Sequence, residues 1–224
     1  MSYCVFAAGL VSATVLLTLL IRTLLDSDFR AWPSPGPGTW QHLIFWSAFR
    51  ILNLSAIVLA CIEPSGALGL HEHVRLAGLI VLAGSLSLYL HALSMLGRAN
   101  TYCKREGLVT SGIYRWTRNP QYATIIPMYA GLALAADGAG TYLLCGALGA
   151  VYVLMALVEE PWLRKAYGAT YVRYCRRVPR FFNWRRGVAW CSVSIRQLDR
   201  QLHLRWIERS TGSTSSTKAN RVQN

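Results

Sequence analysis

Long apolar runs constrain this chain more than anything else in its sequence. Tyr3 to Ile21 carries only small polar interruptions, His42 to Ile62 is broken by Arg50 and Asn53, and Val74 to Leu96 holds His91 well inside its length. Each reaches about twenty residues, the length that crosses a bilayer as a helix. No basic segment precedes Tyr3, so the first run reads as a transmembrane helix and not as a cleavable signal. Two further runs, Pro120 to Ala136 and Thr141 to Val158, are separated by Asp137-Gly138-Ala139-Gly140. A connection that short predicts an antiparallel helical hairpin. Pro127 removes a backbone donor within the fourth run and predicts a kink there. The expected fold is all-α: a polytopic membrane protein with about five transmembrane helices.

The chain has 224 residues, of which 53% are hydrophobic and 15% charged, a balance far from that of an ordinary soluble domain. Its formal net charge is nevertheless +13. Nucleic-acid binding would need a basic face on a soluble fold, so apolar runs of membrane length point instead to an anionic lipid surface. No nucleic-acid partner is expected. The six cysteines, Cys4, Cys61, Cys103, Cys145, Cys175 and Cys191, stand singly, without a C-x-x-C or Cys/His cluster. Neither a metal site nor a redox motif is expected.

The connections carry the polar residues. Arg22 to Gln41 includes Trp32-Pro33-Ser34-Pro35-Gly36-Pro37-Gly38, which neither a helix nor a strand interior tolerates, and Trp32 and Trp40 are expected at the headgroup level. Arg50 lies close enough to a helix end to snorkel, and His91 reads as a packed or interface histidine. Gly78 and Gly84 allow close helix packing, without GxxxG spacing. Beyond Pro161 the chain turns basic and aromatic; 166–177 reads as an interfacial helix and 188–207 as a further amphipathic one. The Ser/Thr-rich stretch from Ser210 to Asn224 reads as disordered. The expected division is therefore a membrane domain over 1–182 and a basic tail over 183–224.

Lys and Arg alternate between connections. Arg22 and Arg30 follow the first run, and Arg98, Lys104, Arg105, Arg115 and Arg118 follow the third, whereas Glu63–His73 and Asp137–Gly140 contain none. By the positive-inside rule the N-terminus is expected outside, with the C-terminus and the third connection in the cytosol.

That third connection contains the densest cluster of polar, aromatic and special-backbone residues, Glu106 to Tyr122, and the hairpin returns Glu159-Glu160 to the same side. The pattern Leu108-Val109-Thr110-Ser111-Gly112-x-Tyr114, Arg118-Asn119-Pro120-x-Tyr122, an apolar hairpin, Glu159-Glu160, then Tyr167-Gly168-x-x-Tyr171-x-x-Tyr174 and Val178-Pro179 resembles the isoprenylcysteine carboxyl methyltransferase family. Membrane phospholipid N-methyltransferases share it more loosely. The resemblance implies an S-adenosylmethionine-dependent methyltransferase with a cytosolic-face cofactor pocket. Its acceptor would be lipophilic, either a prenylated molecule or, alternatively, a phospholipid amine such as phosphatidylethanolamine. The cofactor carries the hard chemistry, so the protein binds, orients and excludes water. By the same resemblance Glu106, Gly107, Leu108 and Val109 line one side of the cofactor, Tyr114, Asn119, Pro120, Gln121 and Tyr122 the other, and Glu159 closes the site. Arg118 and Glu160 are the candidate catalytic residues: Arg118 steadies Glu159, Glu160 or the cofactor carboxylate, and Glu160 either meets its ammonium group or supports the residues that touch the cofactor.

Three positions depart from the family pattern. Asn119 stands where histidine is usual and cannot titrate; Thr124 replaces a glycine; and Met155 occupies a position where prenylcysteine enzymes carry an arginine for the substrate carboxylate. Taken singly, the motifs also admit plainer readings. Glu159-Glu160 could be interfacial charge, Arg118-Asn119-Pro120 a positive-inside anchor with proline in the first turn, and Tyr114 and Tyr122 interfacial aromatics. A membrane scaffold that retains the fold without catalysis, and a membrane reductase that uses NADPH, remain the alternatives from other classes.

Overall fold

The computed structural model describes residues 1–96 and 107–182, and every regular element among them is helical. Five α-helices are present: α1 over Ser2–Leu25, α2 over Trp40–Ile62, α3 over Glu72–Leu96, α4 over Pro120–Ala136 and α5 over Ala139–Arg177. One 3-10 turn, Gly112–Arg115, lies before α4. Glu106, Arg98, Lys104 and Arg105, the amphipathic segment 188–207 and the Ser/Thr-rich end lie outside the described residues.

Four helices, α1, α2, α3 and α5, are long and apolar enough to cross a membrane. α4 has 17 residues, which at 1.5 Å each span about 25 Å, slightly less than a bilayer core. Pro127 lies inside it, and the helix is continuous there. The hairpin turn is tighter than expected, because Ala139 already belongs to α5 and Asp137 alone adopts a left-handed conformation, with φ 52°. α5 does not stop at Val158. It continues through Pro161 as far as Gly168, whose φ 54° and ψ −135° break the helix, and a second helical stretch runs from there to Arg177, close to the expected interfacial helix.

The helices are apolar almost all round, so burial selects one stripe of each. On α2 it is Phe45, Ala48, Leu52, Ser55, Ala56 and Leu59; on α5 it is Leu144, Leu148, Val151, Tyr152 and Met155. These recur at three- and four-residue intervals, the spacing of one helical face. They meet Leu16 and Leu20 of α1 in a single core. α1 lies along α2 and α5, α4 along α5, and α3 packs chiefly on α4. The α3–α4 contact is set by Gly78 and Gly131: a β-carbon at either would sit within 3 Å of the other helix's backbone. Gly84, the other glycine expected to serve close packing, faces open space.

Polar atoms within the spans are satisfied locally. Thr14, Thr23 and Ser87 return their hydroxyls to carbonyls four residues back, and Asn53 Nδ2 donates to Phe49 O at 2.7 Å. Asn53 Oδ1 accepts the phenols of Tyr129 and Tyr152, tying α2 to α4 and α5. Arg50 is exposed beside the Trp46 ring, and His91 is exposed on α3.

At the end where α4 passes into α5, two carboxylates fasten the turn. Glu63 at the end of α2 accepts the N–H groups of Gly140 and Thr141 and the Thr141 hydroxyl at 2.7–2.9 Å. Asp137 accepts the N–H groups of Leu68 and Leu70 and the Tyr142 hydroxyl, all at 3.1 Å. The opposite end holds the start of α4 and the middle of α5.

In the first connection Trp32 is 5% exposed, stacked on Phe45 at 5.3 Å and set edge-on to Trp46. The segment folds inward because its own neighbours fasten it: Ala31 N donates to Thr23 Oγ1, Ser34 Oγ meets His42 Nδ1 at 2.8 Å, and Phe29 packs on Trp40 beneath the Arg22 guanidinium. Trp40 remains exposed.

Candidate functional site

The site is organised by two adjacent residues of α5. Successive side chains on an α-helix diverge by about 100°, so Glu159 and Glu160 serve two different clusters.

Glu159 is half-buried. Its Oε2 accepts the Tyr122 hydroxyl at 2.7 Å and the Trp32 indole N–H at 3.4 Å. Tyr122 is presented by the first turn of α4, which Pro120 starts at a position where its missing N–H costs nothing. Tyr114 is buried in the 3-10 turn. Burial and the nearby Glu159 charge, with a smaller contribution from Tyr174, raise its phenol well above the usual tyrosine range, so it stays a protonated donor at neutral pH. The Tyr122 ring in turn lies 6.1 Å from Tyr152 in the core.

Glu160 is 4% exposed and fully engaged. Arg118 Nη1 lies 2.8 Å from its Oε1, while Arg180 grips both oxygens, Nε to Oε1 and Nη2 to Oε2, at 2.8 Å each. The hydrogen bond to Glu160 outweighs the effect of burial and raises the Arg180 guanidinium further above its usual range. The segment carrying Arg180 is fixed by its backbone. Arg118 N donates to Pro179 O, and both Thr117 Oγ1 and Asn119 Nδ2 donate to Arg180 O, at 2.9–3.1 Å. Tyr174 adds its hydroxyl to the Tyr114 carbonyl at 2.6 Å. These bonds close the connection before α4 against the far part of α5.

The residues singled out in the sequence therefore divide. Tyr122, Tyr114 and Glu159 gather at one place, while Arg118, Asn119 and Glu160 form the latch beside it. Asn119 directs its amide to a carbonyl of the latch. Gly107, with φ 117°, opens the described segment before α4; Leu108 packs against the Tyr171–Tyr174–Val178 cluster, and Val109 is half-buried. Pro120 is buried. Gln121 is half-buried, and its Nε2 is a buried donor without a partner among the described residues; so is Arg118 Nε. Glu106 lies outside the described residues.

Two participants were not anticipated. Arg180 counted only as part of a basic stretch, although its place directly after Val178-Pro179, the end of the recognised pattern, was a usable signal. Trp32 offered none, since its proximity to Glu159 is a property of packing alone. No group of His, Cys, Asp and Glu able to hold a metal occurs among the described residues.

Residues 74–170 match a family model described as phospholipid methyltransferase. No curated protein and no solved structure matches the chain. The match supports a membrane methyltransferase, a type that generally uses S-adenosylmethionine, and leaves the acceptor open. It spans Tyr114, Arg118, Tyr122, Glu159 and Glu160, but neither Trp32 nor Arg180.

Proposed function

We propose that the chain is an S-adenosylmethionine-dependent methyltransferase of the membrane whose acceptor is the amine headgroup of a lipid. The observation that carries this reading is the aromatic surround of a carboxylate: Glu159, half-buried, lies among Tyr122, Trp32 and Tyr114. A carboxylate among aromatic rings attracts cations, and both the cofactor and an amine acceptor are cationic.

The residues present fit that cofactor. Glu159 suits its positive groups, and the orphan donors Gln121 Nε2 and Arg118 Nε suit an acceptor atom on it, since a buried donor left unpaired costs about 1–3 kcal/mol. When bound, the cofactor supplies a methyl group already activated by a sulfonium. The protein's share is placement: Tyr122 and Trp32 hold Glu159, and the Glu160 latch keeps the start of α4 against α5. An amine must shed its proton before it can attack, and a Glu159 oxygen is the acceptor atom at hand.

Carboxyl methylation of a prenylcysteine is the weaker reading. Met155, where an arginine would be needed, is 3% exposed in the apolar core one turn before Glu159. We place the site on the cytosolic face, with the N-terminus outside, on the alternation of Lys and Arg between connections.

The test is calorimetric titration of detergent-purified protein with S-adenosylmethionine and S-adenosylhomocysteine, with NADPH as comparison. Transfer of labelled methyl to phosphatidylethanolamine vesicles or to a farnesylated cysteine follows. Binding of the first two ligands with methylation of the vesicles is expected. A folded protein that binds neither would overturn the assignment, and methylation of the farnesylated cysteine alone would overturn the amine acceptor.

A further inference from the structure

Trp32 lies outside the segment that matches the methyltransferase model and 127 positions from Glu159, yet its indole N–H is aimed at the oxygen that Tyr122 also engages. We infer that Trp32 is a positioning residue of the site: the first connection forms a third wall and, together with Tyr122 of α4, orients the Glu159 carboxylate. The inference rests on the function proposed above, because it assigns Glu159 to cofactor binding.

The first connection is built to deliver that N–H. Its start is fastened by the Ala31–Thr23 bond and its middle by Ser34 on His42; its end is the Thr39 cap of α2, where Thr39 Oγ1 accepts from His42 N. Phe29 and Ala31 are buried, and the indole plane is set by Phe45 and Trp46. A ring stacked on Phe45 and set edge-on to Trp46, with its one polar atom toward a carboxylate, has little freedom to turn away. At 3.4 Å the contact is longer than the 2.7 Å bond from Tyr122, so its effect is the smaller of the two. A second donor on the same oxygen restricts the direction of the carboxylate further.

Any buried tryptophan needs a partner for its N–H, and the test must separate that need from positioning. Trp32→Phe keeps an aromatic ring against Phe45 and removes the donor. Trp32→His keeps a ring N–H at the same place in a five-membered ring and removes the bulk. With the full chain in detergent, S-adenosylhomocysteine affinity and melting temperature are measured for wild type, both variants, Glu159→Gln, and the Trp32→Phe/Glu159→Gln double variant.

Trp32→Phe is expected to weaken binding about three- to tenfold, the worth of one hydrogen bond to a charged group at long range. In the Glu159→Gln background the further loss is smaller, because the carboxylate charge that Trp32 orients is already gone and the amide oxygen that replaces it accepts more weakly. Trp32→His retains more affinity than Trp32→Phe while melting lower. Equal loss in both backgrounds, or affinity that follows melting temperature across the set, overturns the inference and leaves Trp32 as core. A wild type that is folded and does not bind S-adenosylhomocysteine overturns the functional reading beneath it, and the inference with it.

Discussion

At one end of the helix bundle Glu63 and Asp137 accept hydrogen bonds chiefly from backbone N–H groups; at the other, Glu159 and Glu160 accept from side chains. Backbone donors are rigid, and a carboxylate that satisfies them stitches one helix terminus to another. Side-chain donors are attached through rotatable bonds and can exchange partners. The first end is therefore a clasp. Within the second, neighbours differ again: Glu160 sits between two guanidinium groups, and Glu159 accepts from the Tyr122 phenol and the Trp32 indole.

The largest effect should come from breaking the latch. Glu160→Ala leaves Arg118, whose side chain is only 10% exposed, without its counter-charge. Removing one partner of a buried ion pair costs about 3–5 kcal/mol; the figure belongs at the low end here, because Arg180 is 38% exposed and water can take its charge. Thermal unfolding in detergent measures it. A drop no greater than that of an exposed-residue control would mean that the latch does not hold the site end together.

Glu159→Ala should do the opposite, eliminating S-adenosylhomocysteine binding while leaving the melting temperature nearly unchanged. Tyr122→Phe, which removes the 2.7 Å bond but keeps the ring, should weaken binding by about tenfold, the value of a hydrogen bond to a charged group. Unchanged affinity in both variants would take Glu159 out of the site and erase the contrast with Glu160.

Glu63→Gln sharpens the comparison from the other end. The loss of a charged cap at the start of α5 should cost about 1 kcal/mol of stability and leave ligand affinity untouched. Burial by itself would raise the Glu63 carboxyl, but the hydrogen bonds from Gly140 and Thr141 outweigh it and hold the group below its ordinary value of 4.5. Its stabilisation is thus fully present above that value and disappears as pH falls through the lower folded-state value. Wild-type melting temperature should decline more steeply below about pH 4.5 than that of Glu63→Gln. Parallel curves would place the acid sensitivity elsewhere.

Much of this architecture was legible in advance, for a physical reason. The length of an apolar run is a one-dimensional property, and a connection of four residues between two runs forces them antiparallel, so five helices and the return of Glu159 toward Tyr122 followed from spacing alone. Which face of each helix would be buried did not follow. When nearly every residue is apolar, hydropathy has no periodic component, and rotation about the helix axis is chosen by contacts such as Gly78 against Gly131 and Asn53 against Tyr129 and Tyr152. The end of α5 was misjudged for a related reason, since Pro161 suggests a stop but the actual break waits for Gly168.

The candidate site divides along the same line. Sequence by itself determined that Tyr122 and Glu159 would share one side of the membrane, because both are fixed to the ends of one hairpin. Only the tertiary structure decided that Arg118 would pair with Glu160, that Arg180 would complete the latch, and that Trp32 would turn inward to reach Glu159. Those pairings depend on the helical angle between adjacent side chains and on a connection folding back over its own helices, neither of which sequence separation encodes.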